Sequence, residues 1–310
     1  MFEPAVVNLQ AYRNGVLRTD FTVARDGAPL NLTGYLIEMQ IRRAPGAPVV
    51  LASATLQGIR VQASENISIS KALSVLDGTG SQVQVTDSSG VTFTDCETTD
   101  GPKLYGFSAL RSKKVAFIRC RAQRVKDGFQ ANGCDGLIIK DAYARRTAAD
   151  GMTFAACSNV HVDGFDASEI GSGGHPDVIQ FFTKGTTAPS KNILIENVRY
   201  VRGVGATQAQ GIFLTDQVGT LPYENVVIRN CSIIGGMYNG IMVSNGINVA
   251  VNDNEVIPYT DMDSRVQMNN IKGGSVTGNK FTKILQDGAN TGLVIKDNTT
   301  IKPIPVPAAA

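Results

Sequence analysis

Short apolar–polar alternations recur along most of the chain. The unit is a turn residue followed by an apolar, a variable and an apolar residue, and it begins at Asn66, Gly90, Lys114, Gly136, Asn159, Asn192, Asn225 and Asn248. Successive units are 22–24 residues apart, except for two steps of 33. Alternation over so few residues predicts short strands. A fixed period of this size predicts a repeat architecture.

A second row of alternating triplets lies out of phase with the first. Its members are Val83–Val85, Phe107–Ala109, Phe129–Ala131, Met152–Phe154, Ile179–Phe181, Ile212–Leu214 and Ile241–Val243. The outer residues of each triplet are mostly apolar and are expected to point inward, while the middle residue points outward. No useful length of sequence has helical spacing. The two rows predict an all-β parallel β-helix over residues 56–300, in which each strand pairs with its equivalent one coil away.

Turn residues and cysteines fall into the same registers. Asp95, Asp141, Asn197, Asn230, Asp253 and Asp297 follow the first row of strands and are expected to close the bends. Cys96 and Cys120 occupy equivalent positions, as do Cys134 and Cys157. Because the cysteines form no C-x-x-C pair and number five, they predict small core residues rather than a zinc site or a disulfide framework.

The two ends of the chain depart from the period. Residues 1–55 alternate around the turn Asp26–Pro29, which predicts a small antiparallel β module. Residues 301–310 contain three prolines and are expected to form a tail that covers the end of the solenoid or reaches a partner chain.

Two resemblances follow from these segments. Phe21–Val23, Asp26–Gly34 and Glu38–Arg42 resemble the N-terminal baseplate-attachment domain of phage upper baseplate proteins. The repeat is similar to the right-handed β-helices of phage tailspikes, polysaccharide lyases and related glycan-acting proteins. The resemblance implies a virion protein, attached to other tail or baseplate proteins through residues 1–55, that forms a homotrimer. We expect it to bind and depolymerise a host surface polysaccharide, as a glycoside hydrolase or a polysaccharide lyase.

The composition of the chain limits the classes of binding partner and the cellular location that we expect. The net charge is +2, which gives no reason to expect nucleic acid or a membrane surface as partner. No apolar run is long enough for a spanning helix, and the first residues lack a signal-peptide pattern. We therefore expect no membrane insertion. Together with the phage resemblance, this implies synthesis in the host cytoplasm and action outside the host cell as part of a phage tail.

One column of polar residues precedes the second row of strands. Its members are Asp127, Asp150, Asp177, Gln210 and Asn239. Equivalent residues of neighbouring coils lie about 4.8 Å apart, so stacked carboxylates are expected to raise one another's pKa. General acid–base chemistry on sugars needs such a pair, with one carboxyl protonated and the other ionised. Such a column also has an ordinary structural interpretation as a row of turn formers.

The two long steps of the repeat place extra residues on both sides of the strands after Asp177 and Gln210. We expect these insertions to wall a groove with Asp150, Asp177 and His175 as catalytic residues. The predicted substrate-binding residues are Asp127, Gln130, Gln180, Gln210, Phe213, Arg146 and Lys184, with Lys126 and Arg145 also at the rim. Phe213 is the candidate for sugar stacking, whereas His161 is expected at the surface.

Several mechanisms remain open. Carboxyls on adjacent rungs suit a retaining glycoside hydrolase, and those two rungs apart suit an inverting one. In a polysaccharide lyase, His175 or another base would remove the C5 proton while an acid, an amide or a cation neutralises the uronate. No cofactor is expected, although a calcium ion held by Asp150 and Asp177 is conceivable. The alternatives are a non-catalytic receptor-binding or structural β-helix of the virion, and a bacterial glycan lyase or epimerase.

Overall fold

The computed structural model describes residues 58–75, 78–171, 175–203 and 207–308, together with short backbone stretches of residues 24–56. The described strands of the first half are β1 (Ala24–Arg25), β2 (Ala28–Pro29), β3 (Met39–Ile41), β4 (Ala54–Leu56), β5 (Ile59–Gln62), β6 (Glu65–Ser70), β7 (Ala72–Val75), β8 (Gly80–Thr86), β9 (Ser89–Thr94), β10 (Glu97–Gly101), β11 (Leu104–Leu110), β12 (Lys113–Ile118), β13 (Arg121–Val125), β14 (Phe129–Asn132), β15 (Asp135–Thr147) and β16 (Met152–Ala155).

The strands that follow are β17 (Ser158–Ile170), β18 (Asp177–Phe182), β19 (Lys191–Glu196), β20 (Arg199–Val201), β21 (Gln210–Thr215), β22 (Tyr223–Arg229), β23 (Ser232–Ile234), β24 (Tyr238–Asn252), β25 (Glu255–Ile257), β26 (Ser264–Thr277), β27 (Lys280–Phe281), β28 (Ile284–Asp287), β29 (Thr291–Lys296) and β30 (Thr299–Thr300). Apart from the antiparallel pair β1–β2, the paired strands described run parallel. The fold is a parallel β-helix, as the repeat predicts.

Each coil contributes strands to three faces. Sheet A contains β3, β5, β8, β11, β14, β16, β18, β21, β28 and the first halves of β24 and β26. Sheet B contains β6, β9, β12, β19, β22, β29, the first halves of β15 and β17 and the second halves of β24 and β26. Sheet C contains β4, β7, β10, β13, β20, β23, β25, β27, β30 and the second halves of β15 and β17.

Sheet C was not predicted, because its inward residues are small or polar over several coils. Thr98, Ala122, Ala144 and Ala167 pair in succession and are all buried. Only further along does the same column carry larger residues, beginning with Tyr200. An alternation of alanine and polar residues gives little hydrophobic contrast, so the pattern hides a strand that the backbone pairing makes obvious.

The core consists of rows in which similar side chains stack at equivalent positions of successive coils. Phe107 and Phe129 stack with ring centroids 5.1 Å apart and an interplanar angle of 11°. The predicted burial of the cysteines is confirmed, since each of the five is buried and free. Serine continues the inner row of Cys157, whose backbone N–H donates to Ser190 Oγ at 3.0 Å. Stacking therefore repeats both the packing and the hydrogen bond from coil to coil.

An asparagine ladder runs up the outer edge of sheet B. The side-chain amide of Asn192 donates to Asn159 Oδ1, that of Asn225 to Asn192 Oδ1, and that of Asn248 to Asn225 Oδ1, each at 2.9 Å. These residues share the left-handed backbone conformation, with a φ of 53° at Asn192. Asparagine tolerates this conformation better than most residues with a Cβ, which explains the recurring turn residue of the first strand row.

The ends of the solenoid differ in part from the expectation. Within residues 1–55, Ala24–Arg25 pairs antiparallel with Ala28–Pro29, but most of this segment lies outside the described residues. β3 and β4 instead pair in parallel with β5 and β7, so parallel pairing begins N-terminal to residue 56. Three alternating residues such as Met39–Ile41 fit a parallel or an antiparallel strand equally well, so the sequence could not place this boundary.

In the tail, the Ile304 N–H donates to the Pro258 carbonyl at 3.1 Å, and the Ile304 carbonyl accepts from Thr260 N–H at 3.0 Å. The tail therefore folds back against the side of the solenoid. No helix in the described part of the chain is long and apolar enough to cross a membrane.

The asparagine ladder yields a stability prediction. We expect Asn192→Ala to lower the free energy of unfolding by about 2 kcal/mol, because it removes two hydrogen bonds and places a Cβ-bearing residue at positive φ. Asn192→Gly removes the same bonds without the backbone strain, so its loss should be smaller. Denaturant unfolding followed by circular dichroism measures both. Equal stability of the alanine variant and the unmodified chain would contradict the ladder's role.

Candidate functional site

The predicted column of polar residues exists at the corner that leads into sheet A. The Gly128 N–H donates to the Asp150 carbonyl at 3.1 Å, and the Gly151 N–H donates to the Asp177 carbonyl at 2.9 Å. Asp177 is in turn in register with Gln210. The backbone pairing therefore brings residues 23 to 33 positions apart into one vertical row, as the repeat predicts.

The carboxylates also bond along the column. The Asp150 N–H donates to Asp127 Oδ1 at 3.3 Å, and the Asp177 N–H donates to Asp150 Oδ1 at 2.7 Å. Each of these two acceptors thus caps the backbone of the next coil. This is the turn-closing role that the structural interpretation of the column expects.

Glycine next to the acids lets the coils approach closely. A Cβ built on Gly128 would lie 2.6 Å from the Gly151 carbonyl oxygen, and one built on Gly151 would lie 2.5 Å from the Val178 carbonyl oxygen. Any larger residue would therefore force the coils apart at the corner. The acid–glycine sequence is explained by this close approach, which holds the acid column in place.

Amides continue the column where the acids end. Gln210 Nε2 donates to Asp177 Oδ1 at 3.0 Å, and Gln180 Nε2 donates to Asp177 Oδ2 at 2.7 Å. Asn239 Nδ2 then donates to Gln210 Oε1. Both oxygens of Asp177 are thus occupied by amide donors. A calcium ion at Asp177 would have to displace these donors, so this carboxylate is a poor fit to the conceived calcium site.

The acids differ in burial. Asp177 is 0% exposed and Asp127 is 4% exposed, whereas Asp150 is half-buried. Asp150 is therefore the acid of the column that solvent reaches most readily.

The three acids have raised pKa values. Burial raises the pKa of Asp177 to about 8, and the charge of Asp150 adds to the effect against the opposing glutamine amides. Burial also raises the pKa of Asp150 to about 7; the Asp127 charge adds to this, while the Asp177 N–H and Lys126 oppose it. The pKa of Asp127 is raised by burial as well. Near neutral pH the column therefore holds protons that isolated aspartates would have released.

The outward row of sheet A lies beside the column, and only some of its residues reach solvent. Its paired residues are Ser108, Gln130, Thr153, Gln180, Phe213, Met242 and Gln267. Thr153 Oγ1 donates to Asp127 Oδ2 at 3.5 Å and Gln180 bonds Asp177, so the row contacts the acids. Phe213 is half-buried next to Met242. The row is thus polar up to Gln180, apolar at Phe213 and Met242, and polar again at Gln267.

The loop after β21 is held in place by one carboxylate. Asp216 accepts from the backbone N–H groups of Val218, Gly219 and Leu221 at 2.9–3.1 Å. Thr183 Oγ1 donates to the same carboxylate at 2.7 Å, which joins this loop to the segment after β18. Two of the predicted insertions are therefore linked into one wall at the end of these strands.

The insertion before Asp177 is shorter than expected. Residues 167–170 belong to the sheet C half of β17 and not to the insertion, and Ala167 is in register with Ala144. The reason is the unrecognised third strand of each coil. Residues 172–174 lie outside the described residues.

The predicted basic and imidazole groups have different surroundings. His175 is exposed, and no hydrogen bond joins its ring to the acids among the described residues. Arg146 and Arg145 both bond Glu169. Lys184 is exposed, and its backbone N–H donates to Gln217 Oε1 at 3.1 Å. The structure therefore brings the acids and amides together but leaves His175, Arg146 and Lys184 outside that network.

Lys126, predicted only at the rim, has a partner that the sequence did not indicate, Tyr105. Lys126 Nζ donates to Tyr105 Oη at 3.1 Å and lies 4.6 Å from the centre of the Tyr105 ring. The Gly106 N–H donates to the Asp127 carbonyl, so Tyr105 precedes Asp127 in the column. The signal available was position: Tyr105 stands before a glycine, as Asp127 and Asp150 do.

A separate cluster lies on the outer face of sheet B. His161, Asp163 and Glu196 each offer one ligand atom, and these atoms lie within 4.8 Å of one another. However, Lys140 pairs with Asp163, and Arg229 pairs with Glu196. The His161 side chain is 39% exposed, which agrees with its predicted surface position. The acids of this cluster are balanced by neighbouring side chains, so it forms a surface charge network.

Comparison with known proteins agrees with the fold. Residues 50–176 match the model of the right handed beta helix region family. None of the curated protein sequences compared with the chain matches it. The family match and the three-sheet solenoid together define a right-handed β-helix protein with a corner column of stacked acids.

Solved structures share the architecture at low identity. The Streptococcus pneumoniae surface protein and adhesin PfbA has a TM-score of 0.56 at 10% identity over 77% of this chain and 69% of its own. A mutant tailspike protein of E. coli bacteriophage HK620, in complex with a pentasaccharide, has a TM-score of 0.52 at 12% identity over 86% of this chain and 57% of its own.

The DFA-IIIase of Arthrobacter chlorophenolicus, solved without its lid, has a TM-score of 0.50 at 9% identity over 83% of this chain and 63% of its own. The chain thus spans less than two thirds of the tailspike and of the DFA-IIIase. At these identities the likeness establishes the fold alone.

The raised pKa of Asp177 predicts a pH-dependent stability. Its folded pKa of about 8 lies above the ordinary value of 3.8, so the folded chain keeps a proton that the unfolded chain loses. The stability contributed by this group is therefore lost as pH rises from about 4 to about 8. We expect Asp177→Asn to gain on the order of 2 kcal/mol over the unmodified chain between pH 5 and pH 8.5. Thermal unfolding at several pH values measures the difference.

The matched control is Asp135→Asn. Asp135 is exposed, and hydrogen bonds from Asn159 and Ser158 lower its pKa, so it is ionised throughout this pH range. Its stability difference from the unmodified chain should stay constant between pH 5 and pH 8.5. A constant difference for Asp177→Asn as well would contradict a proton held by the column.

Proposed function

We propose that the chain binds a polysaccharide along the outward row of sheet A and depolymerises it with the acid column. The observation that carries this proposal is the direct stacking of Asp150 on Asp177 beside an outward row of sheet A that includes Phe213. Two carboxyls with pKa values of about 7 and about 8 exchange protons near neutral pH, which is what acid–base chemistry at a glycosidic bond requires.

The burial of the acids assigns different roles to them. Asp150 is half-buried and is the group that reaches the substrate, either to protonate the leaving oxygen or to remove a proton. Asp177 is fully buried and donates its backbone N–H to Asp150 Oδ1, so it positions Asp150 and does not contact the substrate. Gln180 and Gln210 fix the orientation of Asp177 through its two oxygens. Phe213 and Met242 supply an apolar surface for the face of a sugar ring.

The separation of the acids bears on the reaction type. Adjacent rungs place Asp150 and Asp177 about 5 Å apart, the spacing of the two carboxyls in retaining glycoside hydrolases, although a retaining mechanism would also need the buried Asp177 to reach the sugar. Asp127 and Asp177, two rungs apart, have about twice that separation and match the inverting spacing. A lyase would use His175, exposed beside the column, as the base for the C5 proton. The hydrolase takes precedence because its acids already form one bonded column.

The finer proposal is a phage tailspike- or tail-fibre-like subunit. The motif in residues 21–42 supports attachment to other tail or baseplate proteins, and the fold shared with a phage tailspike supports a role at the virion surface. In this proposal the subunit is a homotrimer, the polysaccharide belongs to the host surface, and neither nucleic acid nor a membrane is a partner. No metal or other cofactor takes part.

A non-catalytic receptor-binding or structural β-helix is the second candidate. It is favoured by the hydrogen bonds of the column, because Asp127 and Asp150 cap the backbone of the next coil and Asp177 is satisfied by two amides. In that case the acids would only close turns, and the surface of sheet A would bind a glycan without cleaving it.

The proposal predicts the response of activity to single substitutions. Host capsule or exopolysaccharide incubated with the protein should yield new reducing ends for a hydrolase, or an unsaturated product that absorbs in the ultraviolet for a lyase. Asp150→Asn should lower the rate by about 10²–10⁴-fold, because it removes the proton-transferring group. Asp177→Asn should lower it as well and should shift the pH optimum.

The control is Asp166→Asn, which removes an exposed carboxylate paired with Arg199 on sheet C and should leave the rate unchanged. Full activity of both Asp150→Asn and Asp177→Asn would exclude this site. Tight glycan binding without any product would favour the receptor-binding candidate instead.

A further inference from the structure

A cation lies at the N-terminal end of the acid column. The ammonium group of Lys126 is held over the ring of Tyr105 and donates a hydrogen bond to its hydroxyl. A hydroxyl that accepts this bond keeps its own hydrogen, which is free to be donated. Lys126 and Tyr105 therefore present two donors side by side, and their shared contact restrains the lysine side chain before any ligand arrives.

The charge of Lys126 has no carboxylate at contact distance among the described residues. Three arginines near this face are paired: Arg145 and Arg146 with Glu169, and Arg265, which follows Asn239 in the column, with Asp263. Lys126 acts at longer range on Asp127 and Asp150. It is half-buried, so its ammonium group is only partly solvated and gains more from an incoming anion than a fully exposed lysine would.

The two ends of the sheet A surface therefore differ in their chemistry. Lys126 and Tyr105 stand before the acids, and Phe213 and Met242 stand after them. Four coil steps separate Tyr105 from Gln210, the start of the Phe213 strand, which is about 19 Å at the spacing of parallel strands. A glycan lying along this surface would meet a cation at one end and an apolar platform at the other.

We propose that Lys126 and Tyr105 form a subsite for the carboxylate of an acidic sugar, so that the polysaccharide bound here contains uronic acid residues. Two adjacent donors match the two oxygens of a carboxylate. The bound polymer then has a fixed direction, with the acidic sugar at Lys126 and the apolar face of another sugar on Phe213. This inference rests on the proposed polysaccharide-binding function and adds the substrate class and its orientation.

The test measures binding, because Lys126 also influences the protonation of Asp127 and Asp150 and would disturb activity in either case. Calorimetry or affinity electrophoresis compares a panel of uronate-containing polysaccharides with the same polymers after carboxyl reduction. We expect Lys126→Met to weaken binding to the acidic polymers at least tenfold and to leave binding to the reduced polymers unchanged. Lys126→Arg should retain most of the affinity, and Tyr105→Phe should lose part of it.

The matched control is Lys272→Met, which makes the same charge change at an exposed lysine on sheet B. It should bind the acidic polymers as the unmodified chain does, and circular dichroism should show that every variant keeps its fold. Dextran sulfate separates carboxylate recognition from simple charge attraction. Lys126-dependent binding of dextran sulfate as tight as that of the uronates would overturn the carboxylate assignment.

The remaining outcomes separate this inference from the proposed function. If the unmodified chain binds acidic and reduced polymers equally, or if Lys126→Met weakens both to the same extent, the subsite is wrong while polysaccharide binding stands. If the unmodified chain binds neither form of any polymer, the proposed function and the subsite fall together.

Discussion

The rest of the structure depends on the parallel backbone hydrogen bonds that join each coil to the next. They hold residues about two dozen positions apart at one strand spacing, whatever their side chains. Equivalent residues of successive coils must therefore be compatible with one another at this spacing. Stacked phenylalanines, cysteines and asparagines benefit from this arrangement, because each gains packing or a hydrogen bond from an equivalent neighbour. Stacked carboxylates pay for it through burial and mutual repulsion.

Charged columns elsewhere in the solenoid avoid that repulsion. Arg111 bonds Asp87, Arg119 bonds Asp95 and Arg124 bonds Asp100, each pair one coil apart. The corner of sheet A instead stacks three aspartates in succession and buries two of them. Turn closure alone does not require this choice, because the same column continues with glutamine and asparagine at Gln210 and Asn239. The choice of acids over amides is what favours a chemical role over a purely structural one.

The sequence predicted the strands in which apolar and polar residues alternate clearly. The alternation at Val115–Phe117 and its equivalents identified sheet B, the triplets such as Phe129–Ala131 identified sheet A, and their registers brought the acids together. Sheet C escaped because alanine and threonine supply its inward positions.

Side-chain partners were harder to foresee. The sequence position of Arg146 does not indicate its ion pair with Glu169. The contact between Lys126 and Tyr105 can be found only once the coil register is known. Burial also separated Asp150 from Asp177, which the sequence treats as equivalent members of one column.

The long steps of the repeat give these observations a common location. The coils that begin at Asn159 and Asn192 each carry about ten residues more than the others. At these coils the column changes from acid to amide at Asp177 and Gln210, and the outward row changes from Gln180 to Phe213. The Asp216 carboxylate accepts hydrogen bonds from the added loop and from Thr183, and so joins the two.

A scaffold could absorb extra residues anywhere on its surface at modest entropic cost. Their ordered placement beside the change from acid to amide makes these coils the centre of the proposed binding surface. Lys126 and Tyr105 then lie to one side of that centre, where an approaching polymer would extend beyond the walls. Lys126 lies outside the loops, and the acids lie between it and the ring of Phe213. This order gives the proposed binding surface a direction.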